Sequence, residues 1–150
     1  MSGAVGWQVK IEKRDDDQQV VFGWLYQTRT KLGKLVVDHS GEFIRTSTLE
    51  KAAYTYVLES RNAGEMHGKG EDGKLGVGSL VESFMSTREK RAAMGIPEGI
   101  LPDGMWVGYK VHDADTWKRI KSGELVAFSL GGSAEPRDRL TSEIVTEGAE

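Results

Sequence analysis

Cysteine is absent from the 150 residues of this chain. Disulfide staples, thiolate metal sites and cysteine nucleophiles are excluded with it. Proline is nearly absent too, three residues against nineteen glycines, a balance that favours many turns between short strands. Long apolar runs are missing: none approaches the ~18 residues of a membrane-spanning helix. Met1 to Trp7 lack the basic-then-apolar pattern of a signal peptide. These absences predict a domain in a reducing, cytoplasmic setting with no membrane partner. An excess of one charge is also missing from most of the chain. The formal net charge of −3 resides in residues 133–150, where Glu135, Asp138, Glu143, Glu147 and Glu150 oppose only Arg137 and Arg139. The preceding 132 residues balance eighteen bases against eighteen acids. No basic face of the kind nucleic acid requires is expected.

What is present reads as one domain over residues 1–132, large enough to bury a core, with 133–150 as an acidic, mobile tail lacking an apolar period. Val5 to Glu12 alternates apolar and polar residues, the period of a half-buried strand. Arg14-Asp15-Asp16-Asp17 reads as a charged turn. Gln19 to Gln27 is a second strand, in which Gly23 marks a bulge or a close backbone approach. Leu35 to Asp38 is a third. Ser47-Thr48-Leu49-Glu50 spells a capping box and opens a helix over 48–63, with Gly64 as its C-cap. Leu75 to Ser86 is a strand. Thr87 caps a short helix over 88–94, stopped at Gly95. Gly104 to Val111 is another strand, followed by a capped helix from Asp113 to Lys121. Leu125 to Phe128 then forms a strand that delivers Ser129 into Leu130-Gly131-Gly132. Without regular strand–helix alternation a doubly wound parallel sheet is not expected. The expected class is α+β, a small, mainly antiparallel barrel or sandwich with helices outside.

Several motifs suggest chemistry and fail. Asp38-His39-Ser40 is not a triad, because neighbours on an extended segment face opposite ways and triads assemble from distant positions. Gly68 to Leu75 nearly spells a phosphate loop, but Leu75 stands where a hydroxyl must reach magnesium, and Glu71 and Asp72 repel phosphate. The three histidines, His39, His67 and His112, show no metal-ligand spacing. A metal-dependent hydrolase would need all three of them, or two with a carboxylate. No cofactor is expected.

What remains is a serine, a histidine and an acid. A serine hydroxyl is inert near neutral pH without a base, and histidine titrates in the useful range. Ser129 would need His67, or another histidine, within hydrogen-bond reach. Glu82 is the one acid inside an otherwise apolar strand and is the candidate to orient the imidazole. Each has a plainer alternative: a strand-end hydroxyl, a solvated loop histidine and an outward carboxylate.

Seven segments taken in order, Val21 to Tyr26, Asp38 with Gly41-Glu42, Glu50 to Tyr56, Met66-His67, Leu80 to Ser83, Trp106 to Val111 and Lys121-Ser122-Gly123 through Gly132, resemble the XkdF-like phage serine proteases. That family is related to the prohead, or capsid maturation, proteases of tailed phages. The Phe128-Ser129-Leu130-Gly131-Gly132 ending and Val81-Glu82-Ser83 are the most specific parts. The resemblance implies an assemblin-like serine endopeptidase built on a β-barrel with flanking helices, as in herpesvirus maturational proteases. The family's serine falls on Ser129 and its histidine on His67. The third member varies between branches and often follows the serine. No histidine follows Ser129 here, so Glu82 ranks first, ahead of Glu135 and Asp138. Backbone N–H groups of Leu130, Gly131 and Gly132 would hold the oxyanion, with Arg137 and Arg139 as further candidates. The implied substrates are scaffold and major capsid proteins inside an assembling procapsid in the host cytoplasm, and the implied assembly is a homodimer. The rival reading is a non-enzymatic head-assembly protein that retains the protease fold.

Overall fold

A computed structural model describes residues 7–59, 62–65, 77–130 and 138–139. Its strands are β1 (Trp7–Lys10), β2 (Lys13–Asp15), β3 (Val20–Arg29), β4 (Glu42–Phe43), β5 (Asn62–Glu65), β6 (Gly78–Ser86), β7 (Asp103–Val111), β8 (Ala127–Leu130) and β9 (Asp138–Arg139). Its helices are α1 (Thr46–Glu59), α2 (Arg88–Ala93) and α3 (Ala114–Lys121). Seven strands form one sheet in the order β1-β8-β5-β6-β7-β3-β2, and β4 pairs with β9. All these pairings are antiparallel. The fold is mixed α/β, antiparallel sheets with three helices.

Period-2 patterning explains the central strands. In β3 and β7, Val21, Leu25, Met105, Val107, Tyr109 and Val111 are buried on the core face. On the other face, Trp106 lies between Phe84 and Trp24 in register. The Trp24 and Trp106 rings meet edge-on with centroids 5.3 Å apart, an aromatic cross-strand contact that helps set this register. Helix α1 lays Leu49, Ala53 and Tyr56 into the core, and α3 adds Trp117 and Ile120.

The two end strands of the sheet are consecutive in the chain. Only Ile11 and Glu12 separate β1 from β2. The Ile11 N–H donates to the Val126 carbonyl (2.9 Å), and the Glu12 N–H donates to the Phe22 carbonyl (2.8 Å). A flat sheet of seven strands would hold its edges roughly 29 Å apart, at ~4.8 Å per step, whereas the three steps from Lys10 to Lys13 span only about 10 Å. The sheet is therefore strongly curved. Gly23 is where β1 crosses closest: a Cβ there would lie 2.1 Å from the Lys10 carbonyl oxygen.

Several sequence expectations hold. Thr87 caps α2 by accepting from the Lys90 N–H, and Asp113 caps α3 by accepting from the Thr116 N–H. Gly95 and Gly123 follow these helices with positive φ. Others are corrected. The charged run at Arg14 and Asp15 is strand β2, not a turn, and the turn begins at Asp16. Leu35 to Asp38 forms only a single bridge, Leu35 to Arg29. There the Asp38 carboxylate accepts from the Ser40 and Glu42 N–H groups (2.8 and 2.9 Å), and this local turn displaces the strand. Helix α1 starts at Thr46, which puts Ser47 inside it and not at its N-cap position. It ends at Glu59, and Gly64 lies in β5 instead of capping the helix. β8 runs through Ser129 to Leu130 and does not stop before the serine. The stretch assigned to the tail contains β9, whose Asp138 and Arg139 pair with Phe43 and Glu42.

Candidate active site

β8 is an interior strand. Phe128, fully buried, anchors it, with its ring 6.5 Å from that of Tyr109. Leu125, just before it, is buried as well. On one side Ser129 lies opposite Gln8 of β1, and on the other it lies opposite Gly64 of β5. A backbone paired on both sides has few ways to move, which suits a residue that must hold a fixed position.

β5 ends at Glu65, opposite Phe128. His67 follows two residues later in the sequence and lies outside the described residues, as do Gly131, Gly132, Glu135 and Arg137. Leu130 closes β8 opposite Trp7. The fold thus brings the strand leading to His67 directly against the strand carrying Ser129, across a sequence gap of more than sixty residues.

Glu82 is not brought to Ser129. It is an exposed residue of β6, opposite Gly108 at a bulge that leaves Val81 unpaired. Ala63 pairs with Gly78, so the level of Gly64 and Ser129 corresponds to position 77. Glu82 is five residues further along, roughly 16 Å down the strand and about 10 Å across two strand spacings. Its carboxylate makes no hydrogen bond or ion pair among the described residues.

The other two histidines stand far apart. His39 is exposed in the turn that Asp38 organises, at the end of the sheet where β7 begins. His112 is exposed just past the far end of β7, about 30 Å away along nine strand residues. His39 and His112 therefore cannot share a metal ion. His112 does meet a serine: its Nε2 is 2.9 Å from the Ser79 Oγ. No sequence motif flagged this pair, since only the β6–β7 register, Ser79 opposite Lys110, brings the two residues together. The neighbouring Asp113 carboxylate accepts from the Thr116 N–H (2.9 Å) and hydroxyl (2.8 Å).

Beneath β8, the Tyr109 hydroxyl donates to the Tyr56 hydroxyl at 2.9 Å. Burial pushes the Tyr56 hydroxyl up to about 12 and Tyr109 further in the same direction. Both stay neutral at physiological pH, and they tie α1 to β7 under the Phe128 ring.

The chain is also similar to known proteins. A sequence profile of the family described as "Putative phage serine protease XkdF" matches residues 8–138. The chain is 28% identical over 137 residues to the "Uncharacterized protein YqbD" of Bacillus subtilis (strain 168), covering 91% of this chain and 38% of that protein. It is 27% identical over 124 residues to the "Phage-like element PBSX protein XkdF" of the same organism, covering 83% of this chain and 40% of that protein. It thus spans about two fifths of the length of these relatives. No solved structure matches it. With the family profile covering most of its length, the chain belongs to the phage serine protease XkdF family.

Proposed function

We propose that this chain is a serine endopeptidase of phage head maturation, with Ser129 as nucleophile and His67 as general base. The observation that carries the reading is the β5–β8 pairing: Gly64, three residues before His67, lies opposite Ser129. In this reading Ser129 attacks the scissile carbonyl and His67 takes the hydroxyl proton, then returns it to the leaving amine. N–H groups of Leu130, Gly131 and Gly132 stabilise the oxyanion. Glu82 finds no support for an orienting role in its exposed place on β6, and the proposal rests on the pair without it.

We infer further that the curved sheet is the barrel of the prohead and herpesvirus maturational proteases. The hydrogen bonds of Ile11 to Val126 and Glu12 to Phe22 support this, since consecutive residues bond to strands near opposite ends of the strand order. Scaffold and major capsid proteins inside the procapsid are the proposed substrates, and a homodimer is the proposed assembly.

The test is co-expression of wild type, Ser129→Ala and His67→Ala with the cognate scaffold and major capsid proteins. Cleavage by the wild type and at least a thousandfold loss in both variants is expected, as for other serine nucleophiles and their bases. Equal cleavage by wild type and Ser129→Ala would remove Ser129 from the mechanism. Fragments that are absent throughout would turn the reading towards a head-assembly protein without catalysis.

A further inference from the structure

An open cavity of about 700 Å³ lies where β3 and β6 end and β7 begins, in the size range of binding sites. Asp103 lines it, and β7 runs roughly 26 Å from there to the end nearest β5. The cavity is thus separate from the neighbourhood of Ser129. Five cations line it: Arg29, Lys31, Arg45, Arg88 and Arg91. Against them stand two carboxylates, Glu98 and Asp103; these face Arg88 and Arg91, Arg45 is already partnered, and Arg29 and Lys31 are the surplus cations in a chain of net charge −3.

The surplus is accessible. Arg91 and Asp103 neutralise each other at 2.8 Å with side chains only 12% and 10% exposed, and they serve as the floor. Arg29 donates to the Gly33 carbonyl (2.6 Å), which leaves its charge uncompensated. Lys31 is exposed and has no partner among the described residues. Arg88 meets Glu98 at 3.2 Å, but these side chains are 69% and 80% exposed, and such a pair yields to a competing carboxylate at little cost. Helix α1 begins in the cavity with Thr46 and Ser47, and its first turn contains no acid to offset the positive end of its dipole. Apolar surface is part of the same lining, with Leu32 80% exposed at the rim.

We propose that this cavity binds an acidic peptide segment of a second polypeptide, with two or three carboxylates flanking an apolar side chain. The arginines in it already pair with carboxylates at Asp103 and Glu98, so the geometry accepts that group. Nucleic acid fits less well, because a phosphate backbone needs a track of cations along a face, not a bounded cavity with an apolar rim. The site does not depend on the protease reading, and its test is binding alone.

The experiment is fluorescence anisotropy of the full chain with a fluorescein-labelled Glu-Leu-Glu-Glu peptide, its Gln-Leu-Gln-Gln counterpart and a thymidine oligonucleotide of matched charge. The acidic peptide is expected to bind at least tenfold tighter than the neutral one, the more so at low salt. The triple variant Arg29→Gln, Lys31→Gln, Arg88→Gln is expected to lose about tenfold, at roughly twofold per exposed charge pair. Should that variant fail to fold by its melting curve, Lys31→Glu alone, at an exposed side chain without a partner, is expected to lose severalfold. Equal binding of the two peptides overturns the proposal. So does unchanged affinity in a folded variant, or tighter binding of the oligonucleotide than of the acidic peptide.

Discussion

Replacing Gly23 by alanine tests the crossing of β1 over β3, on which the curvature of the sheet depends. The new Cβ would lie 2.1 Å from the Lys10 carbonyl oxygen, against roughly 3.3 Å for an acceptable carbon–oxygen contact. Lys10 would have to retreat by about 1.2 Å, and the obstacle is backbone, which cannot rotate aside. Two hydrogen bonds adjoin that point, Ile11 to Val126 at 2.9 Å and Glu12 to Phe22 at 2.8 Å. Stretching both beyond useful length costs about 1 kcal/mol each, and overpacking adds ~1–3 kcal/mol. The smaller entropy of the unfolded alanine chain returns less than ~1 kcal/mol. A net loss of about 2–4 kcal/mol follows, which for a chain of this size lowers Tm by ~5–15 °C. Two glycines serve as controls in the same thermal and urea titrations. Gly33 has φ +83° and open space around it, so Gly33→Ala carries only the left-handed penalty of about 1 kcal/mol. At Gly108 a Cβ meets the Phe22 ring at 2.9 Å and the Glu82 Cγ at 3.2 Å. Those are side-chain atoms that can give way, and a loss of about 1 kcal/mol is expected. If Gly23→Ala melts with the wild type, or no lower than Gly33→Ala, the close crossing is refuted and the argument for the curved sheet fails with it.

Four further outcomes follow from the same structure. Tyr109→Phe removes the hydroxyl that donates to Tyr56 and should cost about 1 kcal/mol in urea titration, with the double variant Tyr56→Phe, Tyr109→Phe giving the coupling between the two hydroxyls. The tyrosines titrate higher in the folded chain than unfolded, so their contribution is whole below pH ~10, the unfolded value, and declines as pH rises through about 12 for Tyr56. Stability measured from pH 8 to 11 should fall more steeply in wild type than in the double Phe variant. Asp103→Asn leaves the nearly buried Arg91 guanidinium without its counter-charge and should cost about 3 kcal/mol by thermal melting. If the proposed scaffold cleavage is observed, Glu82→Gln and His112→Ala should keep its kcat/KM within about twofold, while a true orienting acid would cost on the order of ten-thousandfold; a loss of that size on Glu82→Gln would restore it to the site.

How far the sequence could be read depends on where each segment finds its partners. The elements read correctly are those whose decisive contacts are local. Thr87 and Asp113 find their N–H donors three residues away, and β7 buries every second residue from Met105 to Val111. The capping box at Ser47 failed because the helix start is set from a distance. The Thr46 hydroxyl lies 2.6 Å from that of Thr28 and donates to Asp103, fifty-seven residues on, so the turn before it is recruited into the helix. Glu82 misled for a related reason. An acid in an apolar run counts as half-buried only if the alternation is unbroken, and the bulge at Val81 breaks it, leaving 81, 82 and 83 all exposed. Ser129 is the instructive case. Its local pattern, a short apolar strand before glycines, is equally that of a plain strand end. The structure adds that β8 continues through the serine, held between β1 and β5, and no window of sequence around residue 129 contains either neighbour. The pairing with β5 is the long-range contact on which the proposed Ser129–His67 mechanism rests. If the proposed mechanism holds, a disruption of β5 that spares the fold should reduce cleavage.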